Sequence, residues 1–491
     1  MKENARPADS DGGARERALR FVNFLTAAVT PFHAVAIGSQ MLERAGFVAL
    51  DESAQWAGAI TPGGKYFYTR SDSTLVAFAV GSKYAAGGPF KVVGAHTDSP
   101  ALKAKPLTKS SAAEGLTQLA VCTYGGGLWH TWFDRDLGIG GLVLVRSADG
   151  ALEKRLVAIH APVLRVPSLC IHLQTAAERE SFAPNKETHL IPVLCAAPAP
   201  PSAGAGAGAG ASEDAPDPFS AAQEPELLAL LAEQLRVPAA SIASHDLTLF
   251  DAQPPALAGA RGEFVSGGRL DNLASTFVAL EALIDACADG RLDDERGVRC
   301  VALFDHEEVG SASATGAGGP VMEEAISRVG EALGVLPKGE LALRSLRASF
   351  LISLDNAHAV HPNYRSKHEA GHRPLMGKGC VIKTNANLRY ATDSVTSFVV
   401  RELGRLAGCP TQEFVVRNDC ACGSTIGPII SERLGVRCAD VGMPQLSMHS
   451  CREMMGAQDL THCHALLTAF FRRFGDIDAR LGACKRPRAE P

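Results

Sequence analysis

Two stretches with apolar residues at helical spacing come before a series of short apolar runs typical of strands. Positions three or four residues apart are apolar within 21–25 and within 37–42, which predicts two helices. Three strand-like runs then follow, and the last of them is typical of a short buried strand. They cover 65–68, 73–80 and 91–96, and the last one ends on a histidine, His96.

Between about residue 101 and residue 262 the pattern changes to short β-type runs separated by glycine and proline. Leu142–Val145 and Leu156–His160 are two of these runs, and they predict a mostly β domain. A tract of Pro, Gly and Ala occupies about 197–219. Because such a composition cannot bury enough apolar surface to order itself, we predict a disordered loop there.

Alternation of helix and strand patterns returns after residue 263. A helix is predicted from Asn272 to about Ala286, and strands are predicted at 298–304 and at 348–354. The pattern as a whole predicts an α/β fold with a mixed sheet and helices on both faces. That domain would combine residues 1–100 with residues 263–491, and the mostly β domain at 101–262 would be inserted into it.

Composition narrows the class of protein. A chain of 491 residues exceeds one ordinary core, and 46% apolar with 21% charged residues is usual for a globular protein. The net charge of -5 gives no reason to expect nucleic acid, and no apolar run is long enough to span a bilayer. The 13 scattered cysteines, with Cys420 and Cys422 interpreted as structural thiols, fit a reducing cytoplasm.

Several residues able to bind metal stand where predicted strands end or a predicted helix begins. The carboxyl ends of strands line the ligand crevice of an open α/β sheet. Glu307 and Glu308 follow one strand, and adjacent side chains in extended chain point to opposite sides. One glutamate could therefore hold a metal while the other reaches a water or a substrate. The full set is His96, Asp98, Asp271, Glu307, Glu308, Asp355 and His449.

Histidine and carboxylate ligands without cysteine suit zinc, or manganese or cobalt. The set is too large for one catalytic zinc, which takes three protein ligands and a water. It suits two metals about 3.5–4 Å apart, bridged by a carboxylate and a water, with a remaining carboxylate as general base. The alternative is ordinary: a strand-end aspartate is often a cap, and a Glu-Glu pair is usually a solvated turn.

Five segments, taken in order, resemble one family, the aspartyl aminopeptidases of the M18 zinc metallopeptidases. The resemblance covers nearly the whole chain, including 132–137 and 165–173 in the inserted domain. It implies a metallopeptidase domain interrupted by a dimerisation domain. The matching segments are 94–100, 268–273, 305–311, 355–364 and 448–453.

The resemblance implies two divalent metal ions per subunit, zinc in the first place, with manganese or cobalt as alternatives in one site. Asp271 would bridge the two metals. His96 and Asp355 would complete one metal site, and Glu308 and His449 would complete the other.

The resemblance also gives roles to two residues that bind no metal. Glu307 would be the general base, which takes a proton from the bridging water and passes it to the leaving amine. Asp98 would accept the ring N–H of His96 and so fix its tautomer. Relatives carry a cis peptide bond after the bridging aspartate, here Asp271–Asn272.

Substrate recognition follows from the same resemblance. Lys383 would contact the carboxylate of an N-terminal Asp or Glu, with His358 and Tyr390 lining that region; a solvated lysine is the plain alternative. His172, in the inserted domain, would reach the active site of a neighbouring subunit and take part in catalysis. The family assembles as a tetrahedral dodecamer built from dimers.

The resulting expectation is a cytoplasmic metalloaminopeptidase that removes N-terminal Asp or Glu from peptides. His306, Asn356 and Cys451 depart from common choices of the family, but none of them is an expected ligand. Two alternatives stay open: another two-metal hydrolase such as a carboxypeptidase or deacylase, and a catalytically idle assembly or cargo protein.

Overall fold

The computed structural model describes residues 10–110, 114–197, 218–288 and 290–482. These described residues form two compact units: those within Met1–Asp98, Pro255–Met448 and Glu453–Pro491 make the first, and those within Ser99–Pro254 and His449–Arg452 make the second. The second unit begins two residues before the predicted inserted domain and its main segment ends eight residues earlier, and the predicted division into domains stays a prediction. Most of the predicted loop at about 197–219 lies outside the described residues, and its end overlaps a short helix, Pro218–Ala221.

The helices and strands are numbered along the chain. The helices are α1 (Ser10–Ala27), α2 (Pro31–Arg44), α3 (Ala176–Glu180), α4 (Pro218–Ala221), α5 (Pro225–Leu235), α6 (Leu270–Ala286), α7 (Val321–Ala332), α8 (Glu340–Ala348), α9 (Ser394–Ala407), α10 (Ile426–Leu434) and α11 (Ala457–Gly482). The strands are β1 (Val48–Ala49), β2 (Lys65–Arg70), β3 (Thr74–Val80), β4 (Phe90–His96), β5 (Ala101–Lys109), β6 (Leu116–Tyr124), β7 (Asp136–Arg146), β8 (Leu152–Arg165), β9 (Val193–Ala196), β10 (Ile242–Asp251), β11 (Ala256–Ala258), β12 (Phe264–Gly267), β13 (Val298–Phe304), β14 (Phe350–Leu354), β15 (Ala357–His358), β16 (Cys380–Thr384), β17 (Thr411–Val415), β18 (Arg437–Gly442), β19 (Pro444–Leu446) and β20 (Glu453–Gly456).

The first unit is built on a nine-stranded mixed sheet in the order β1-β2-β3-β13-β4-β14-β18-β16-β17. Strands β3, β4, β13 and β14 are buried along their whole length, which explains why they read as continuous apolar runs. Neighbouring residues of β4 pack into two different cores: Val93 lies with the helices α6, α9 and α11, and Val92 lies with α7 and α10. The predicted mixed α/β sheet with helices on both faces is therefore confirmed.

Two predicted boundaries need correction. The strand predicted at 348–354 begins at Phe350, because helix α8 continues to Ala348 and the Ser349 hydroxyl donates to the carbonyl of Ser345 at 2.7 Å. The helix predicted from Asn272 is assigned from Leu270, although Asp271 and Asn272 have non-helical backbone angles. The peptide bond between these two residues is cis, as the family resemblance implied.

A smaller sheet of the first unit, in the order β11-β12-β20-β19-β15, carries polar residues that reach the candidate site. The second unit is mostly β, with strands closing in the order β10-β5-β6-β9-β8-β7 around an apolar core that includes Leu227 and Leu231 of α5. The cysteines of the described residues are free thiols. Within those residues, none of the helices has the length and apolar composition required to cross a membrane.

Candidate metal centre and active site

Strand register brings three chain segments together at one edge of the large sheet. Strand β4 runs parallel to both β13 and β14, and His96 at its end lies opposite Phe304. The turn with Glu307 and Glu308 follows β13, and Asp355 follows β14. Because parallel strands end on the same side, these polar residues converge, as their positions in the sequence predicted.

His96 lies at the centre of a carboxylate cluster. Its Nε2 is 3.4 Å from Asp271 Oδ1, 3.8 Å from Glu307 Oε2 and 3.9 Å from Asp355 Oδ1. One ligand atom each from His96, Asp271 and Glu308 lie within 4.8 Å of one another. Buried carboxylates this close repel one another unless a cation lies among them. An imidazole with carboxylate oxygens is a donor set that fits zinc or a similar divalent metal.

Asp98 supports this cluster in two ways, only one of which was expected. The His96 Nδ1 lies 3.3 Å from Asp98 Oδ1 and 3.1 Å from its backbone carbonyl, which directs Nε2 towards Asp271. The carboxylate also accepts the backbone N–H of Glu307 at 3.1 Å and that of Glu308 at 3.0 Å. Asp98 therefore fixes both the histidine and the turn that presents the two glutamates.

The pKa of Glu307 differs from that of a solvated glutamate because of the charges and burial around it. Burial, with the negative charges of Asp355, Glu308 and Asp271, raises the pKa of Glu307 to about 8 against the opposing effect of His96. A cation bound in the cluster would lower the pKa of Glu307. A carboxylate with a pKa near the working pH suits a general base.

For His96, the nearby negative charges affect the pKa more than burial does. Burial disfavours its protonation, but the carboxylates of Asp271, Asp355 and Asp98 outweigh burial and raise the pKa of His96 well above its ordinary value. The site therefore attracts positive charge strongly, as a metal centre requires.

Buried polar residues missed in the sequence hold the segment around Asp271. Glu453 of β20 accepts the Asp271 backbone N–H at 3.1 Å and lies 3.3 Å from the Gln445 amide nitrogen, which donates to it. The Asn356 amide donates to Gln445 Oε1 and to the Leu270 carbonyl, both at 2.8 Å. These residues lie within or beside the family segments, but only the fold shows what they contact.

Lys383 is buried beside the cluster, with 2% of the residue exposed. Its ammonium donates to the carbonyl of Asn356 at 3.2 Å and lies 3.8 Å from Asp355 Oδ2. It also lies 5.2 Å from the centre of the Tyr390 ring. Burial, followed by contact with Cys422, raises the pKa of Tyr390 above its usual range, so the phenol stays neutral beside the lysine.

His358 stands on β15, and burial, followed by the positive charge of Lys383, lowers the pKa of its ring. His449 and His172 belong to the second unit. There the His449 Nδ1 lies 3.1 Å from the carbonyl of Gly126, and His172 lies in an exposed turn, Ile171–Leu173. The roles predicted for these three histidines stay predictions.

Comparisons with known proteins agree with the motifs. A family model described as aminopeptidase I zinc metalloprotease (M18) matches residues 24–471. A probable aspartyl aminopeptidase of Ricinus communis is 45% identical over 475 residues, covering 94% of this chain and 96% of the relative. The aspartyl aminopeptidase of Dictyostelium discoideum is 44% identical over 475 residues, covering 94% and 97%.

Solved structures agree in fold. A chain of the cryo-electron microscopy structure of the Ape4 and Nbr1 complex is 40% identical, with a TM-score of 0.89, and the match covers 96% of this chain and 88% of that one. The crystal structure of prApe1 is 30% identical with a TM-score of 0.89, and the match covers 96% and 97%. The chain therefore belongs to the M18 family of zinc metalloproteases, and it is an aminopeptidase of the metallopeptidase class of hydrolases.

Proposed function

We propose that this aminopeptidase releases N-terminal aspartate or glutamate from peptides. The observation that carries the proposal is the buried Lys383 ammonium, 3.8 Å from Asp355 at the edge of the carboxylate cluster. A fixed cation beside the reaction centre favours a substrate with a carboxylate on its first side chain. The curated relatives named aspartyl aminopeptidase support the same specificity.

The donor set fits two divalent metals, zinc in the first place, with manganese or cobalt as alternatives in one site. Such metals, when bound, would polarise the carbonyl to be attacked and activate a water as the nucleophile. We assign the metal ligands as His96, Asp271, Glu308, Asp355 and His449.

The residues of the chain then divide the remaining work. Glu307 accepts a proton from the attacking water and delivers it to the amine that leaves. Asp98 holds the His96 ring and the Glu307 backbone in place for that transfer. Lys383 pairs with the acidic side chain of the substrate, and His358 and Tyr390 line the same region.

We also propose that the enzyme works as a homo-oligomer, a tetrahedral dodecamer, in the cytoplasm. A yeast relative has been solved as the mApe1 dodecamer, and it is 29% identical with a TM-score of 0.82. In the second unit, Ile171 and Leu173 on either side of His172 are 61% and 71% exposed. We propose that these exposed apolar residues contact another copy of the chain and that His172 reaches the active site of that neighbour.

A substrate panel tests the proposed specificity. The panel contains versions of one peptide that differ only in the first residue, which is Asp, Glu, Asn or Ala. It also contains the Asp version with an acetylated N-terminal amine. We expect kcat/KM to be highest for Asp and Glu, low for Asn and Ala, and absent for the blocked peptide. Equal values for Asp and Asn would refute recognition of the acid, and cleavage of the blocked peptide would refute aminopeptidase chemistry. No turnover of any peptide by the metal-loaded protein would favour an idle assembly protein.

A further inference from the structure

Asp440 is a buried carboxylate that the proposed mechanism does not use. It lies on β18 with no exposed surface, and the antiparallel pairing of β16 with β18 sets it directly opposite Lys383. Opposite residues on antiparallel strands project from the same face, with Cβ atoms roughly 4.5–5.5 Å apart. A buried negative charge therefore stands beside the stem of the buried lysine.

The carboxylate of Asp440 is fixed from two directions. The Thr425 hydroxyl donates to its Oδ1 at 2.5 Å, and the Ala391 backbone N–H donates to its Oδ2 at 2.6 Å. The Asp440 backbone N–H in turn donates to the Thr392 hydroxyl at 2.8 Å. Because Ala391 and Thr392 directly follow Tyr390, the same residue anchors the segment that lays the Tyr390 ring beside Lys383.

Residues at the start of helix α10 approach the Asp440 carboxylate closely. A Cβ on Gly427 would lie 2.5 Å from Asp440 Oδ1, so only glycine lets helix α10 approach it. Thr425 stands at the N-cap of α10 but makes no side-chain cap, and its hydroxyl binds Asp440 instead. Burial raises the pKa of Asp440, and the Lys383 charge is the first of the influences that oppose the rise.

Asp355, the carboxylate 3.8 Å from the Lys383 ammonium, is not available to Lys383 alone. Its other oxygen lies 3.9 Å from His96 Nε2, within the cluster proposed to hold metal. A buried ammonium needs a compensating negative charge inside the fold. Asp440, paired directly opposite Lys383 and outside that cluster, supplies one.

We propose that Asp440 is a positioning residue for recognition of the acidic N-terminal side chain. It acts through Lys383 and Tyr390, and it does not touch the substrate. Without its charge the ammonium is drawn towards Asp355, and the contact with the substrate carboxylate weakens. This inference rests on the proposed function, because it assigns a partner to the lysine that reads the acid.

The experiment compares D440N with K383M and with the double variant. Steady-state kinetics are measured on matched Asp and Ala peptides, together with metal content and melting temperature. For D440N we expect KM for the Asp peptide to rise about ten- to a hundredfold, with kcat and the Ala peptide little changed. In the K383M background, D440N should change the ratio of Asp to Ala cleavage no further, since both act on one contact.

T425V provides an arm that does not depend on the fate of D440N. It keeps the charge of Asp440 and removes one hydrogen bond to it, so we expect a smaller change in the same direction. If D440N does not fold, T425V alone decides: an unchanged KM for the Asp peptide overturns the inference.

Two other outcomes also overturn it. Equal losses on the Asp and Ala peptides show that Asp440 acts on the fold alone, and additive effects of D440N and K383M show that the two residues are independent. An unchanged selectivity in K383M is a different failure. It refutes the proposed role of Lys383, and with it the proposed function, whatever D440N does.

Discussion

The carboxylate of Asp98 accepts the backbone N–H of Glu307 at 3.1 Å while its other oxygen accepts that of Glu308 at 3.0 Å. One side chain thereby sets the direction of the two glutamates and also holds the ring of His96. The division of labour between the glutamates depends on this contact, because it fixes which one faces His96.

The first prediction follows from that contact. In D98N the amide offers only one acceptor oxygen, so one of the two backbone N–H groups loses its partner. We expect kcat/KM to fall about ten- to a hundredfold, together with weaker metal affinity. D294N is the control, since Asp294 has a side chain that is 92% exposed. Full activity and metal content in D98N would contradict the supporting role.

The second prediction concerns a buried ion cluster in the core of the first unit. Glu295 Oε2 lies 2.7 Å from Lys91 Nζ and 2.9 Å from Arg299 Nε, and the three side chains are 5–6% exposed. E295Q leaves two buried cations without their carboxylate, at a cost of about 3–5 kcal/mol in the free energy of unfolding. E153Q is the control: Glu153 pairs with Arg155, and the two side chains are 49% and 39% exposed, so about 0–1 kcal/mol is expected. Similar urea denaturation curves for both variants would contradict the account.

The same cluster predicts how stability depends on pH. Burial alone would raise the pKa of Glu295, but Lys91 and Arg299 outweigh it and hold that pKa below its usual value. A carboxylate with a lowered folded pKa contributes stability that is present above its unfolded pKa, about 4.3, and is lost as the pH falls through the folded pKa. The wild-type protein should therefore lose more stability than E295Q below about pH 4.3. Parallel losses in the two proteins would show that Glu295 does not contribute.

Much of this site could be predicted from residues at the ends of patterned segments. His96, Glu307 and Asp355 converge because parallel neighbours end at one edge, and the apolar runs that predicted β4, β13 and β14 marked those ends. The cross-strand pairing of Lys383 with Asp440 could not be predicted. It depends on the antiparallel register of β16 with β18, which no local pattern encodes.

The buried polar residues that hold the segment around Asp271 could not be predicted for a similar reason. Gln445 and Glu453 belong to short strands of the small sheet, and they meet Asn356 and Asp271 only because β15, β19 and β20 are neighbours in that sheet. In the sequence such residues look like surface polar positions. Their burial follows from strand pairing over long separations.

The third prediction tests the metal centre by removing and restoring metal. Chelation should abolish peptide cleavage. It should also lower the melting temperature, because metal ions that bind only the folded state stabilise that state. Zinc at a hundred times its Kd should restore about 2.7 kcal/mol to the free energy of unfolding. Manganese and cobalt are compared in parallel, and D271N is the control that should not recover. Activity that survives complete removal of metal would contradict the proposed centre.

The fourth prediction concerns the acid specificity. K383M removes the ammonium but keeps an apolar side chain in the buried site, so we expect the ratio of Asp to Ala cleavage to fall by about 1.5–3 kcal/mol of transition-state binding. K338M is the control, since the Lys338 side chain is 87% exposed. An unchanged ratio in K383M would remove the lysine from substrate recognition.

The most direct measurement compares E307Q with E308Q for metal content and turnover of an Asp peptide. We expect E307Q to keep its metal and its melting temperature while kcat falls about 10²- to 10⁴-fold, because the proton acceptor is lost. E308Q should instead lose metal. Retention of near wild-type kcat by metal-loaded E307Q would contradict the assignment of Glu307 as the general base.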